Sequence, residues 1–191
     1  MNFNRLCSQK QFHIDPACIR EVQEISLSSQ FQHKHIVQYY GTFKDKTKLY
    51  IFLELATGGS LLNLYQKHKL SDSQASKYTR QIVKGLKYLH EHNVVHRFCI
   101  IFEGYLVDVN GTVKLVDFGL AKFCKLNDIK SFKGTAFRMA PEVINEDKQE
   151  NDGYGFAADI WSLGCTVLEM LTRQHPYPKL EPVCISFNGN K

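Results

Sequence analysis

The sequence lacks paired cysteines, long apolar runs, internal repeats and any strong excess of one charge. Its six cysteines (Cys7, Cys18, Cys99, Cys124, Cys165 and Cys184) lie far apart, with no CxxC pair and no Cys/His cluster. That argues against a zinc site and a secreted disulfide framework, and for a reducing compartment. The opening MNFNRLCSQKQ has no apolar centre of the kind a signal peptide needs. The most apolar stretch, IWSLGCTVLEML, is too short and too polar to span a bilayer. A formal charge of +5 is spread over 191 residues, with a mild local excess only in KFCKLNDIKSFK. Such an excess reads as a solvated loop rather than a nucleic-acid surface. These absences predict a cytoplasmic protein with no membrane and no nucleic-acid partner.

What is present is enough apolar material, 43% of residues, for one domain with a sizeable core. In DPACIREVQEISLSSQF, Asp15 is a good N-cap and Pro16 suits the first helical position, while Ile19, Val22 and Ile25 recur at helical spacing. HIVQYYGTF and KLYIFLEL read as two strands joined by a turn at Lys44–Lys46. From Ser71 the pattern is helical again. Ser71 and Gln74 suggest a capping box, Tyr78, Ile82, Leu86 and Leu89 share a face, and Asn93 suits the stop. Asn110–Gly111, between YLVDV and TVKLVD, signals a tight hairpin. ADIWSLGCTVLEML is apolar on nearly every side and predicts a helix covered all round. The order is α+β, with a bridging segment near Glu54–Ser60.

Asp117 closes an apolar strand and is followed by Phe118 and Gly119. A carboxylate there suits Mg²⁺, which takes one or two carboxylates together with phosphate oxygens. His96–Arg97 lies upstream, and Ala140-Pro141-Glu142 and ADIWSLG lie downstream. In that order these form the protein-kinase signature set. HIVQYYGTF, LYIFLELATGGSL, YTRQIVKGLKYLH, GTVKLVDFGLAK, KGTAFRMAPEVI and GYGFAADIWSLGCTVLEMLTRQHPY resemble the catalytic domain of MAP kinase kinase kinases, particularly the plant type. The resemblance runs from about Ile19 to Pro182.

The resemblance implies a single, truncated kinase-like domain. A remnant small lobe would occupy about residues 12–56, and a partial, mainly helical large lobe about residues 57–182. It implies ATP and Mg²⁺ as cofactors and MAP kinase cascade proteins, above all a MAP kinase kinase, as partners. Glu24 would pair with the phosphate-holding lysine. Backbone groups of Glu54 and Ala56 would meet adenine, with Leu53 behind it, Leu106 on its face and Ser60 near the ribose. Asp117 would be the magnesium ligand, and Phe118 would stack with His96. Arg97 would receive a phosphate on the activation segment, at Ser131, through two parallel hydrogen bonds. Thr135 would position the catalytic loop, Asp159 would hold that loop's backbone, and Glu142 stands where the family pairs a glutamate with a later arginine that is not found in this sequence.

The chain departs from this pattern where the chemistry should be. Phe98 stands at the position of the aspartate that accepts the substrate's proton, and Ile100 at that of the phosphate-steadying lysine. The second metal ligand should be an asparagine; counting forward from Phe98 reaches Glu103, and counting back from Asp117 reaches Gly104. General-base catalysis is typically worth ~10²–10⁴-fold, so the usual chemistry is not expected. No glycine-rich loop precedes Glu24, and neither Arg5 nor Lys10 falls in a strand pattern. Ser28 replaces an expected leucine and Arg138 an expected tryptophan. Three readings stay open: a non-catalytic signalling partner or decoy, an active kinase obscured by a wrong gene model, and the product of a decayed gene.

Overall fold

The computed structural model describes residues 7–13, 29–45, 48–96, 104–116, 122–123, 138–144 and 155–178. The first sheet has three antiparallel strands: β1 (Cys7–His13), β2 (Tyr39–Lys44) and β3 (Lys48–Glu54), in the order β1-β3-β2. In β3, Ile51 and Leu53 are buried at alternate positions, as a strand with one covered face requires.

Strand β1 corrects the expectation for Lys10, which lies within it, opposite Ile51. Nothing in CSQKQFH is β-branched and only Phe12 favours a strand, so the segment has a weak strand signal of its own. Its conformation comes from pairing along the whole length of β3, from Cys7↔Glu54 to His13↔Lys48. Such pairing overrides weak local propensity.

Strand β2 also begins later than HIVQYYGTF suggests, at Tyr39. The preceding residues leave the sheet to dock elsewhere. Val37 N–H donates to Leu115 O at 2.9 Å, and Leu115 N–H donates to His35 O at 2.9 Å. Ile36, 1% exposed, is thereby fixed in the core beside Leu115. The predicted helix over residues 15–31 falls largely outside the described residues.

The remainder comprises α1 (Leu61–Lys67), α2 (Asp72–Glu91), β4 (Val94–Val95), β5 (Tyr105–Val107), β6 (Val113–Leu115), β7 (Lys122–Phe123), α3 (Pro141–Ile144) and α4 (Phe156–Thr172). Helix α2 starts at the expected capping box. Ser71 Oγ accepts from Gln74 N–H, and Gln74 Oε1 accepts from Ser71 N–H. It ends before Asn93, whose φ of 57° is the left-handed stop that asparagine tolerates. Ala75, Ile82, Leu86 and Leu89 form its buried stripe. Gly85 lies on that stripe where a Cβ would stand 2.5 Å from Leu115 Cδ1 and 3.1 Å from His35 O, so a side chain there would force Leu115 to shift.

Strands β5 and β6 pair from Tyr105↔Leu115 to Val107↔Val113. Their connection differs from the tight two-residue turn expected at Asn110–Gly111. It runs from Asp108 to Thr112, and Asp108 Oδ1 accepts from the N–H groups of Asn110 and Thr112, both at 2.8 Å. The aspartate side chain thus shapes the turn, with Gly111 taking the left-handed position at φ 73°.

Helix α4 departs from the all-round burial expected of it. Ile160, Trp161, Leu168 and Leu171 are at least 40% exposed among the described residues. Half of its buried positions are polar: Asp159, Ser162, Thr166 and Glu169. No described helix is long and apolar enough to cross a membrane.

Candidate functional site

The sheet joins the helical part through Glu54–Ser60. Two glycines make the joint. Gly58 N–H donates to Val107 O at 2.8 Å, and Val107 N–H donates to Gly59 O at 2.9 Å. A Cβ on Gly58 would stand 2.5 Å from that same carbonyl oxygen, so no other residue fits without movement. The clamp fixes β5, and with it half-buried Leu106, beside the end of β3.

Leu53 is buried at that end of β3, followed by half-buried Glu54 and Ala56. Glu54 N–H donates to Gln38 O at 2.8 Å, and its carboxylate meets the Lys114 ammonium at 2.8 Å. This ion pair ties the end of the sheet to β6. Ser60 is 5% exposed and caps α1, its Oγ accepting from Asn63 N–H at 3.2 Å. The structure therefore brings Leu53, Glu54, Ala56, Ser60 and Leu106 to one joint, with the Ser60 hydroxyl engaged by a helix end.

At the other end of the helical part, Asp159 is fully buried in the first turn of α4. Its Oδ2 accepts from His96 N–H at 2.9 Å and meets His90 Nε2 at 2.8 Å. His96 is 1% exposed and follows β4 directly. The chain is thus gripped by its backbone one residue before Arg97 and two before Phe98. After residues 97–103 in the sequence, Val116 N–H donates to Gly104 O at 3.1 Å, one residue before Asp117. Glu24, Arg97, Phe98, Ile100, Asp117, Phe118, Ser131 and Thr135 lie outside the described residues. No cluster of three or more potential metal ligands occurs among the described residues.

The joint, the gripped segment before the loop and the hairpin after it follow one another as the motif order implied. The protein kinase domain family matches residues 7–185. The chain belongs to the protein kinase family.

It is 63% identical over 167 residues to mitogen-activated protein kinase kinase kinase 1 of Arabidopsis thaliana, covering 87% of this chain and 27% of that protein. To mitogen-activated protein kinase kinase kinase 9 of the same plant it is 60% identical, covering 87% of this chain and 21% of that protein. To mitogen-activated protein kinase kinase kinase 3 of Mus musculus it is 42% identical over 192 residues, covering 94% of this chain and 30% of that protein. The chain spans less than a third of the length of these relatives.

One cluster in this kinase-family chain is invisible to motif reading. Arg138, expected as a departure only, is 5% exposed and binds Glu169 of α4 through two parallel bonds, Nε to Oε1 at 2.7 Å and NH2 to Oε2 at 2.5 Å. The Tyr65 hydroxyl of α1 accepts from the same guanidinium at 3.1 Å and donates to Glu169 Oε2 at 2.7 Å. Burial pushes the Tyr65 pKa upward, which keeps this hydroxyl a donor. Burial alone would lower the Arg138 pKa, but the bonds to Glu169 hold it above its usual value. Ser162 Oγ donates to Arg138 O at 3.0 Å. The signal was a lone arginine in TAFRMAP and a lone glutamate in TVLEML, two charges in apolar surroundings that each need a partner. Glu142, half-buried in α3, lines an apolar groove of about 630 Å³ with Trp161, Leu168 and Pro176.

Proposed function

We propose that this chain acts in a MAP kinase cascade as a kinase-family protein without phosphoryl transfer of its own, engaging a cascade protein such as a MAP kinase kinase. One observation carries the reading. Asp159 still holds the backbone of His96, so the support for a catalytic loop is kept. Yet the sequence that follows has Phe98 and Ile100 at the two reactive positions, and these neither accept a proton nor steady a phosphate. A support without its reactive groups suits recognition better than catalysis.

Adenine binding at Leu53, Glu54, Ala56 and Leu106 belongs to the same proposal, between a smaller part over about residues 12–56 and a larger part over about 57–182. ATP would bring its own magnesium, and Asp117 is the one residue that the motif order offers to that ion. The place of its second ligand falls on Glu103 counted from Phe98 and on Gly104 counted from Asp117, and neither is the asparagine expected there.

The test is phosphoryl transfer from Mg-ATP to a MAP kinase kinase by the full chain. The expected signal equals that of Asp117→Asn. Transfer that disappears in Asp117→Asn would overturn the proposal. The intact bonding on both sides of residues 97–103 also supports a second reading, an active kinase whose transcript differs in that stretch. Transcript sequencing across Arg97 to Leu106 decides it: restored His-Arg-Asp with an in-register asparagine favours the enzyme.

A further inference from the structure

A second concave surface shares no lining residue with the joint. It is a groove of about 610 Å³ between α2, the Asp108–Thr112 turn and the segment before Ile36. Four cations line it: Lys34, Lys77, Arg80 and Lys84. All four are exposed, and no carboxylate is among the lining residues. None of the four pairs with a carboxylate among the described residues, whereas nearby Lys87 and Lys114 pair with Glu91 and Glu54. Lys77, Arg80 and Lys84 recur at helical spacing, so they form one stripe along α2.

The positive field is felt inside the protein as well. His35, at the groove wall, has its pKa held below the usual imidazole value, first by burial and then by Lys34, Lys84 and Lys114. Like charges brought together without partners repel one another, so the free chain bears a cost that an anionic ligand would relieve.

We propose that this groove is a docking surface for an acidic peptide segment of a partner protein. The distance along α2 from Ser73 to Lys84 is about 16 Å at a rise of 1.5 Å per residue. It matches about five residues of extended chain. Asn110 and Thr112 at the wall offer hydrogen-bonding groups to a peptide backbone. Val109, 79% exposed in the same turn, offers an apolar contact that a side chain uses and a phosphate backbone does not. No Phe, Tyr or Trp lines the groove and the ring of His35 is buried, so bases find no exposed aromatic ring to stack on, which disfavours a single-stranded nucleic acid. The proposal does not depend on whether the chain transfers phosphate or binds ATP.

The test is fluorescence anisotropy of the full chain with a labelled peptide rich in aspartate and glutamate and carrying one leucine. A peptide with glutamine and asparagine in their place, and a single-stranded oligonucleotide of equal charge, serve as comparison probes. The expected result is binding of the acidic peptide that weakens with salt and falls by about tenfold or more in Lys77→Glu/Arg80→Glu/Lys84→Glu. Lys69→Glu, exposed on the same chain but outside the groove, is expected to change it by less than about twofold. If the triple reversal loses helical circular dichroism, Lys77→Gln/Lys84→Gln replaces it, with a smaller loss expected. Equal binding of the neutral peptide, no effect of the groove variants, or tighter binding of the oligonucleotide would each overturn the proposal.

Discussion

Helices α2 and α4 are the two long helices among the described residues and pack on one another, but they meet the core in different ways. Helix α2 buries Ile82, Leu86 and Leu89 and shows Lys77, Arg80 and Lys84 to solvent. Helix α4 buries Asp159, Ser162, Thr166 and Glu169 alongside Ala158, Leu163, Cys165 and Met170, and leaves Ile160, Trp161, Leu168 and Leu171 in contact with water. The first is held by the hydrophobic effect along a stripe. The second serves as a post to which other segments are tied. Asp159 holds the backbone of His96, and Glu169 holds Arg138 and Tyr65. What an apolar helix turns inward is therefore decided by its few polar groups, since each of those has to find a partner once buried.

The strongest way to break this contrast is to remove a partner from α4. Arg138→Ala would leave the Glu169 carboxylate buried with Tyr65 alone, and a cost of about 3–5 kcal/mol is expected. Chemical denaturation at neutral pH measures it. The double variant Arg138→Met/Glu169→Leu should recover most of that loss, because no charge is left stranded. If the double variant is as unstable as the single, the pair contributes more than mutual satisfaction. Asp159→Ala should cost less, about 1–3 kcal/mol, by leaving His96 N–H without its acceptor. Hydrogen exchange at the His96 amide should quicken in this variant, while exchange at the β3 amides stays unchanged.

The same contrast explains what was readable in advance. The capping box at Ser71 and Gln74, the stripe of α2 and the stop at Asn93 were legible because each rests on residues within a few positions of one another. The orientation of α4 was not, since its hydropathy is high on every side and the deciding bonds go to His96 and Arg138, far off in the chain. Strand β1 was missed for a related reason. CSQKQFH becomes a strand only through β3, about forty residues away, and that pairing leaves no local trace. At the joint the structure brings Leu53, Glu54, Ala56 and Leu106 together, whereas in the sequence only the family resemblance links them. The clamp at Gly58 was overlooked because a close backbone approach shows itself only in three dimensions.

A milder probe touches α2 instead. Ser71→Ala removes one half of the capping box and should cost about 1 kcal/mol, read as a lower denaturation midpoint with an unchanged slope. So small a loss beside that of Arg138→Ala would show that α2 depends on its stripe and α4 on its polar ties.

The smallest expected effect concerns protons at the edge of α2. The pKa values of His33 and His35 both lie below the usual imidazole value of 6.5. Burial is the first cause for each, followed for His33 by His35, Lys114 and Lys84, and for His35 by Lys34, Lys84 and Lys114, against the raising effect of its bond to Val113 O. A depressed value means that the unfolded chain takes up protons more readily than the folded one. Stability is therefore full above the unfolded value and falls as pH drops through 6.5 toward the lower folded values. The expected observation is a melting temperature that is flat from about pH 8 to about pH 7 and declines by a few degrees toward about pH 5.5. His35→Gln keeps a donor for Val113 O, 3.1 Å from His35 Nδ1, but cannot titrate, so it should flatten part of that decline. An unchanged decline in that variant would assign the protons elsewhere and separate the basic face of α2 from the stability of the core beneath it.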